Sequence, residues 1–169
     1  MPATQWKVNT IFEFNNVANI PIGKLTVYNG EIFGITRAGG TSGNGVIYKL
    51  TPPAKAGGIW TETILHSFSA LETGFPQAGL LADGHGGFFG TAAQGGSLGL
   101  GIFYHLTPPS HAGGPWNFSV LHTFSGANDG ATPVGDLFEL NGAIFGTTEG
   151  RTVDGATVFN GGTVFEIIP

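Results

Sequence analysis

Few side chains in this sequence could do chemistry, and the carboxylates come first. Glu72, Asp129, Glu149 and Asp154 fall in segments that read as loops. Two carboxyl groups about 5 to 10 Å apart in one cleft would suit cleavage of a polysaccharide by a hydrolase or lyase. Histidine is the next candidate. His66 and His122 stand 56 residues apart in one phrase, Leu-His-Ser/Thr-Phe-Ser. The third residue at that repeat position is Phe12, and a ring that phenylalanine replaces is expected to pack or to make a local hydrogen bond rather than to bind metal. No close pair of His or carboxylate residues has zinc spacing, so no metal site and no cofactor are expected. His85, His105 and His111 read as isolated, solvated or half-buried. There is no G-x-S-x-G elbow, and no serine stands in a recognisable nucleophile setting. The glycine-rich runs Arg37 to Gly45 and Gln94 to Gly101 lack a Gly-Lys-Ser/Thr ending and a following helix, so they are not expected to cradle phosphate.

Composition narrows the field further. The 169 residues include 30 Gly, 10 Pro and no Cys, and only 10% are charged. That balance suits short strands joined by tight turns, not helices. The net charge of −5, with six Lys and Arg, leaves no basic stripe, so neither nucleic acid nor an anionic membrane surface is an expected partner. Without Cys there is no disulfide or thiolate chemistry. No apolar run approaches 18 residues, so no membrane insertion is expected. The N-terminus MPATQWKVNT has neither a basic n-region nor an apolar h-region, and no signal peptide is expected in it.

The elements that must carry these residues repeat every 56 positions. Ile32-Phe33-Gly34 recurs as Phe88-Phe89-Gly90 and Ile144-Phe145-Gly146. Gly45 to Ser69 recurs as Gly101 to Ser125 with 14 of 25 positions identical. A period of this length marks a supersecondary unit that buries its apolar face only by stacking on neighbours. Each copy reads as four short strands. The first ends at Asn29-Gly30, Asp83-Gly84 or Asn141-Gly142, dipeptides that favour hairpin turns, with a looser turn in the middle copy. The second holds Gly34, Gly90 or Gly146, marking a bulge or a close backbone approach. The third (GVIYKL, GIFYHL, GTVFEI) ends twice at Thr-Pro-Pro, and the fourth is WTETILHSF or WNFSVLHTF.

The ends are permuted. Trp6 to Phe14 (WKVNTIFEF) aligns with the fourth strand, Trp6 with Trp60 and Phe14 with Phe68, and Pro169 follows a third strand. The chain therefore divides into a latch outer strand at 1–17 and repeat units at 18–70, 71–126 and 127–169, the last lacking its outer strand. The phrases GxIFGTTxxGG, GTVFxL, TPP, W…xLHSFS and the Asp129-Gly130-Ala131-Thr132-Pro133 stretch resemble the bacterial GloVer (Gloeo/Verruco) tandem-repeat family over essentially the whole chain. That resemblance implies an all-β fold of kelch-like β-propeller blades, a surface-protein setting that is extracellular or at the cell surface, and no assigned catalytic residues. Propellers close with four to eight blades, so three cannot make a ring. The expected solution is a six-bladed ring formed as a homodimer, in which Trp6 to Phe14 of one chain completes the third blade of the other and the two junctions bury on the order of 2,000 Å². The alternative is a β-trefoil, a closed monomer of three four-stranded units.

In a propeller the second-to-third and fourth-to-first connections share one face. That face would gather Arg37, Glu72, Gln94 and Asp129, and from the long third connection Arg151, Asp154 and Phe159. Non-repeating polar residues on a repeating scaffold are where function would be grafted. Trp6, Trp60 and Trp116 could form stacking platforms for sugars, but recurrence in all three copies favours packing at the blade rim. The expected function is a non-enzymatic binding or scaffolding propeller whose partner, beyond its own copy, is a glycan or a surface protein. The alternatives are the carboxylate-based hydrolase or lyase and a repeat fragment or designed half-propeller with no activity of its own.

Overall fold

The computed structural model describes residues 6–15, 17–72, 75–126, 128–150, 152–153, 156–157 and 161–169. Strands β1 (Ala18–Tyr28), β2 (Glu31–Gly39), β3 (Val46–Thr51) and β4 (Thr61–Ser67) form one antiparallel meander. Strands β5 (Leu81–Ala82), β6 (Phe88–Ala92), β7 (Ile102–Thr107) and β8 (Asn117–Thr123) form a second. The third sheet holds β9 (Ala131–Leu140) and β10 (Ala143–Glu149); a two-strand ribbon of β11 (Thr152–Val153) and β12 (Ala156–Thr157) intervenes before β13 (Thr163–Ile167) returns to pair with β10. No helix is assigned among the described residues, so none is long and apolar enough to cross a membrane.

Turn chemistry sets the hairpins. Asn29 and Gly30 lie at φ 49° and 77°, and Asn141 and Gly142 at 55° and 84°, so both central residues occupy the left-handed region that a tight hairpin of matching twist requires. In the middle copy the turn is looser, as expected. Asp83 closes it by accepting hydrogen bonds from the His85 and Gly87 amides at 2.7 and 2.8 Å. The glycine of each second strand marks a close approach. Gly34 pairs with Tyr48, Gly90 with Tyr104 and Gly146 with Phe165, and in each case the aromatic ring lies where a Cβ would stand.

The sheets stack face to face. Phe33, Ile35, Ile47 and Phe68 of the first sheet meet Phe88, Ile102, Tyr104 and Leu106 of the second. Phe103 and Phe124 from the second unit meet Leu137, Ile144 and Phe165 of the third. The second sheet is thus sandwiched, and each internal junction mates the Phe33/Ile47 face of one unit with the Ile/Phe-and-Tyr face of the next. The inner strands converge at one edge, where the Gly79 amide donates to Asp136 Oδ1 at 2.8 Å. No hydrogen-bonded ladder among the described residues crosses from one unit to another, and no sheet closes on itself. This removes the β-trefoil alternative, which needs a barrel shared by the three units.

The Trp6 to Phe14 segment is expected to pair with a second copy, and the single chain shows it without that partner. Residues 6–15 carry no strand, and Trp6 and Val8 are 92% and 94% exposed. The reason is geometric. A strand needs an open edge, the open third-strand edge is β13, and β13 lies on the far side of the second sheet from β1, into which the segment runs. Instead Phe12 and Phe14 cover the outer face of the first sheet, beside Tyr48, Leu50 and Trp60.

Candidate functional site

The connections after second strands and those before first strands meet at one end of the stack. The Gly40 amide donates to Val17 O at 2.6 Å, the Ala93 amide to Phe75 O at 3.4 Å and the Thr132 amide to Leu100 O at 2.8 Å. Arg37, exposed on β2, places its guanidinium 5.1 Å from the Phe75 ring centroid, a cation–π contact. Gln94 is half-buried in the neighbouring connection. Arg151, Asp154 and Phe159 lie outside the described residues.

Glu72 and Asp129 take part in a repeated loop closure. His66 Nε2 lies 3.2 Å from Glu72 Oε2, which also accepts from the Ser69 amide at 2.8 Å. One unit later His122 Nε2 lies 3.0 Å from Asp129 Oδ2, which accepts from the Ser125 amide at 2.9 Å, while the Ser125 hydroxyl donates to Oδ1 at 2.6 Å. Each carboxylate thereby folds the chain back after the fourth strand. This fits the local hydrogen bond expected of a histidine that Phe12 replaces. Among the described residues no hydrogen bond or ion pair joins Arg37, Glu72, Gln94 and Asp129 to one another, and no group of three His, Asp or Glu is placed to hold a metal.

A third histidine–carboxylate pair escaped the sequence reading. His105, expected to be isolated, sits with Nε2 at 2.8 Å from Asp83 Oδ2. At the equivalent place in the first unit Lys49 Nζ meets Glu31 Oε1 at 2.9 Å. The available signal was the shared position of Lys49 and His105 on their third strands, each beside an acid of the first hairpin. Two of the three recurrent tryptophans pack, Trp116 with its ring centroid 6.3 Å from that of Phe88 and Trp60 on the outer face of the first sheet, whereas Trp6 stands exposed in the single chain.

These clamps set the electrostatics. Burial lowers the pKa of His66 and outweighs the neighbouring Glu72 carboxylate. At neutral pH its contact is then a hydrogen bond donated from Nε2–H. Burial pushes the Glu72 carboxyl up, but the Ser69 amide, the Ser69 hydroxyl and His66 more than offset it, and the net shift is downward. Asp83 and Asp129 end below their ordinary values for the same reasons, against burial. Acid should therefore destabilise the fold in two stages. A histidine that is harder to protonate when folded loses its contribution as pH drops below about 6.5. Carboxyls with depressed folded values contribute fully above their ordinary 3.8 to 4.5, and that contribution is lost as pH falls through the lower folded values. Urea unfolding across this range should show both declines in the natural chain and a flatter second decline in a Glu72→Gln/Asp129→Asn variant. Stability level from about pH 7 to about pH 3 would refute the scheme.

Two grooves with mixed apolar and charged linings lie beside β13. One, of about 360 Å³, is lined by Leu121, Phe124, Phe165 and Ile167 together with His122, Asp129 and Glu166. The other, of about 190 Å³, is lined by Phe89, Phe103, Leu121, Ile144 and Ile167 together with Asp83 and Glu139.

The chain matches the model of the Gloeobacter/Verrucomicrobia repeat family over residues 1–169, and it belongs to that family. No curated protein and no solved structure matches it.

Proposed function

We propose that this member of the Gloeobacter/Verrucomicrobia repeat family is one half of a kelch-like, six-bladed β-propeller, a non-enzymatic binding or scaffolding module completed by a second identical chain and working outside the cell or at its surface. One observation carries this reading: the two outer faces of the stack are the same two repeat faces that mate inside it. The first sheet turns Ile32, Tyr48 and Leu50 outward, at the positions of Phe88, Tyr104 and Leu106. The third sheet turns Phe145 and Val164 outward, at the positions of Phe33 and Ile47, and Val164 is 78% exposed. A two-fold axis would bring each outer face onto its complement twice and close the ring. Charge agrees near the inner edge. Lys24 and Asp136 occupy one repeat position, and in such a ring Asp136 would adjoin the partner's Lys24.

The ligand surface is the end where the connections gather. Arg37 over Phe75 supplies a charged, planar group beside an aromatic face, and Arg151, Asp154 and Phe159 of the long third connection, which lie outside the described residues, would add to it. A glycan or a surface protein is the ligand class this surface suits, because aromatic faces and guanidinium donors recognise sugar rings and hydroxyls. Glu72 and Asp129 are occupied in closing their own loops, and among the described residues no pair of the candidate carboxylates is seen to share a hydrogen bond or a cleft that would favour the hydrolase or lyase chemistry. On a glycan array the natural chain should bind a defined set of sugars, and Arg37→Ala together with Arg151→Ala/Asp154→Ala should weaken binding by about tenfold or more, roughly the loss of one charge-assisted contact. Binding that all three changes leave intact would clear this end of the molecule of the role.

A further inference from the structure

We infer that the open edge of β13, with the two grooves beside it, is an acceptor site for one occupant, the Trp6 to Phe14 segment of a second copy, seated in a defined register. The inference rests on the half-propeller reading and names the residues that would complete it.

The first junction shows what the second lacks. There Phe118 of β8 stacks on His66 with ring centroids 4.1 Å apart and planes at 3°, and lies 4.9 Å from Tyr104 and 5.7 Å from Phe68. Trp116 lies beside Phe88. At the second junction the same partners are present as His122, Phe165, Phe124 and Ile144, but they line the two open grooves. The residues at the repeat positions of Trp116 and Phe118 are Trp6 and Val8, the two most exposed large apolar residues in the segment. Two open grooves with apolar walls thus correspond, by repeat position, to two exposed apolar side chains at the other end of the stack.

The far end of the segment shows that the occupant comes from another chain. Phe14 packs on Tyr48 with centroids 4.8 Å apart and planes at 65°. Phe68 on Tyr104 (5.7 Å, 67°) and Phe124 on Phe165 (5.1 Å, 64°) are the same contact in the two internal junctions. Phe14 therefore already stands where a fourth strand from a preceding unit would deliver it, on the outer face of the first sheet. The chain's own third sheet is on the opposite side of the second sheet. Only a second copy can place its β13 beside this segment.

The register follows from the complete units. Tyr48 pairs with Ile64, Lys49 with Thr63 and Leu50 with Glu62; Tyr104 pairs with Val120, His105 with Ser119 and Leu106 with Phe118; both ladders slip by one residue at the same place. Carried to β13, this sets Phe165 opposite the partner's Thr10, Glu166 opposite the partner's Asn9 and Ile167 opposite the partner's Val8. The partner's Lys7 then falls diagonally across from Glu166, a favourable opposite-charge neighbour.

The chain has no cysteine, so cross-linking reports the register directly. Asn9→Cys and Glu166→Cys chains, each singly substituted and co-expressed, should give a disulfide-linked species at twice the 17.4 kDa chain mass on a non-reducing gel. A Thr10→Cys chain with Glu166→Cys, one residue out of register, should give a much weaker band. Val8→Asp, at an exposed position that the single chain does not use, should shift the native mass to that of one chain while the β-sheet circular dichroism persists. Absence of the mixed disulfide, or an internal disulfide in an Asn9→Cys/Glu166→Cys double variant that stays at single-chain mass, would overturn the inference. The half-propeller reading fails separately: a mixed disulfide in an assembly that is not a dimer keeps the strand exchange and discards the six-bladed ring, whereas a native dimer without the disulfide keeps the ring and discards this register.

Discussion

Replacing Phe68 with alanine should cost about 3–5 kcal/mol, the range for deleting a large buried aromatic side chain. Phe68 is 1% exposed and sits where the first two sheets meet. Its ring makes edge contacts with His66 at 5.4 Å, Tyr104 at 5.7 Å and Phe118 at 5.7 Å. Truncation leaves a cavity between two sheets that no hydrogen-bonded ladder joins, so the side-chain contact is a large part of what holds them together. Its amide also donates to Gly45 O at 3.1 Å, which keeps the backbone in place and gives the site little freedom to collapse. A single domain is stable by about 5–15 kcal/mol in total, so the loss should be plain as a lowered urea midpoint. A cost below about 1 kcal/mol would mean that the junction is not held through this ring.

Gly101→Ala should be nearly as damaging, by a different mechanism. Gly101 has φ 112°, a conformation that L residues rarely adopt, and a methyl group there would press on Pro133 and on the Ala92 carbonyl. Backbone strain of this kind costs about 1–3 kcal/mol and overpacking about as much again. The residue is also a fastening point. Its amide donates to Gly95 O at 3.2 Å and its carbonyl accepts from the Phe124 amide at 2.9 Å, which ties the start of β7 to the end of the outer strand and holds Phe124 in the second junction. Gly45 does the same for Phe68 one unit earlier. Denaturant titration of Gly101→Ala beside Ser97→Ala, an exposed position in the same connection, separates the effect from loop substitution in general. Equal midpoints for the two variants would show that the glycine is dispensable.

Much of the fold was legible because its causes are local. Asn29-Gly30 and Asn141-Gly142 announce hairpins through the backbone angles they tolerate. Gly34, Gly90 and Gly146 announce a close approach because only a missing side chain leaves room for the ring across the ladder. The clamps were half legible. His66 and Glu72 are six residues apart and His122 and Asp129 seven, so the pairing is local, but it took the loop's path to show each carboxylate turning back onto its histidine. Asp83 with His105 was not legible. The two are 22 residues apart on different strands, and the equivalent pair in the first unit, Glu31 with Lys49, uses other residue types.

The sequence by itself determined three antiparallel units of four, four and three strands, the turns between them and an outer-strand phrase displaced to the N-terminus, since strand alternation, turn residues and a 56-residue period are properties of neighbouring positions. Only the tertiary structure decided which face of each sheet meets which, that Glu72 and Asp129, two of the four carboxylates proposed for chemistry, close their own loops, and that Trp6 and Val8 stand exposed while matching grooves lie open beside β13. Those outcomes depend on how sheets stack across distances that no local pattern encodes.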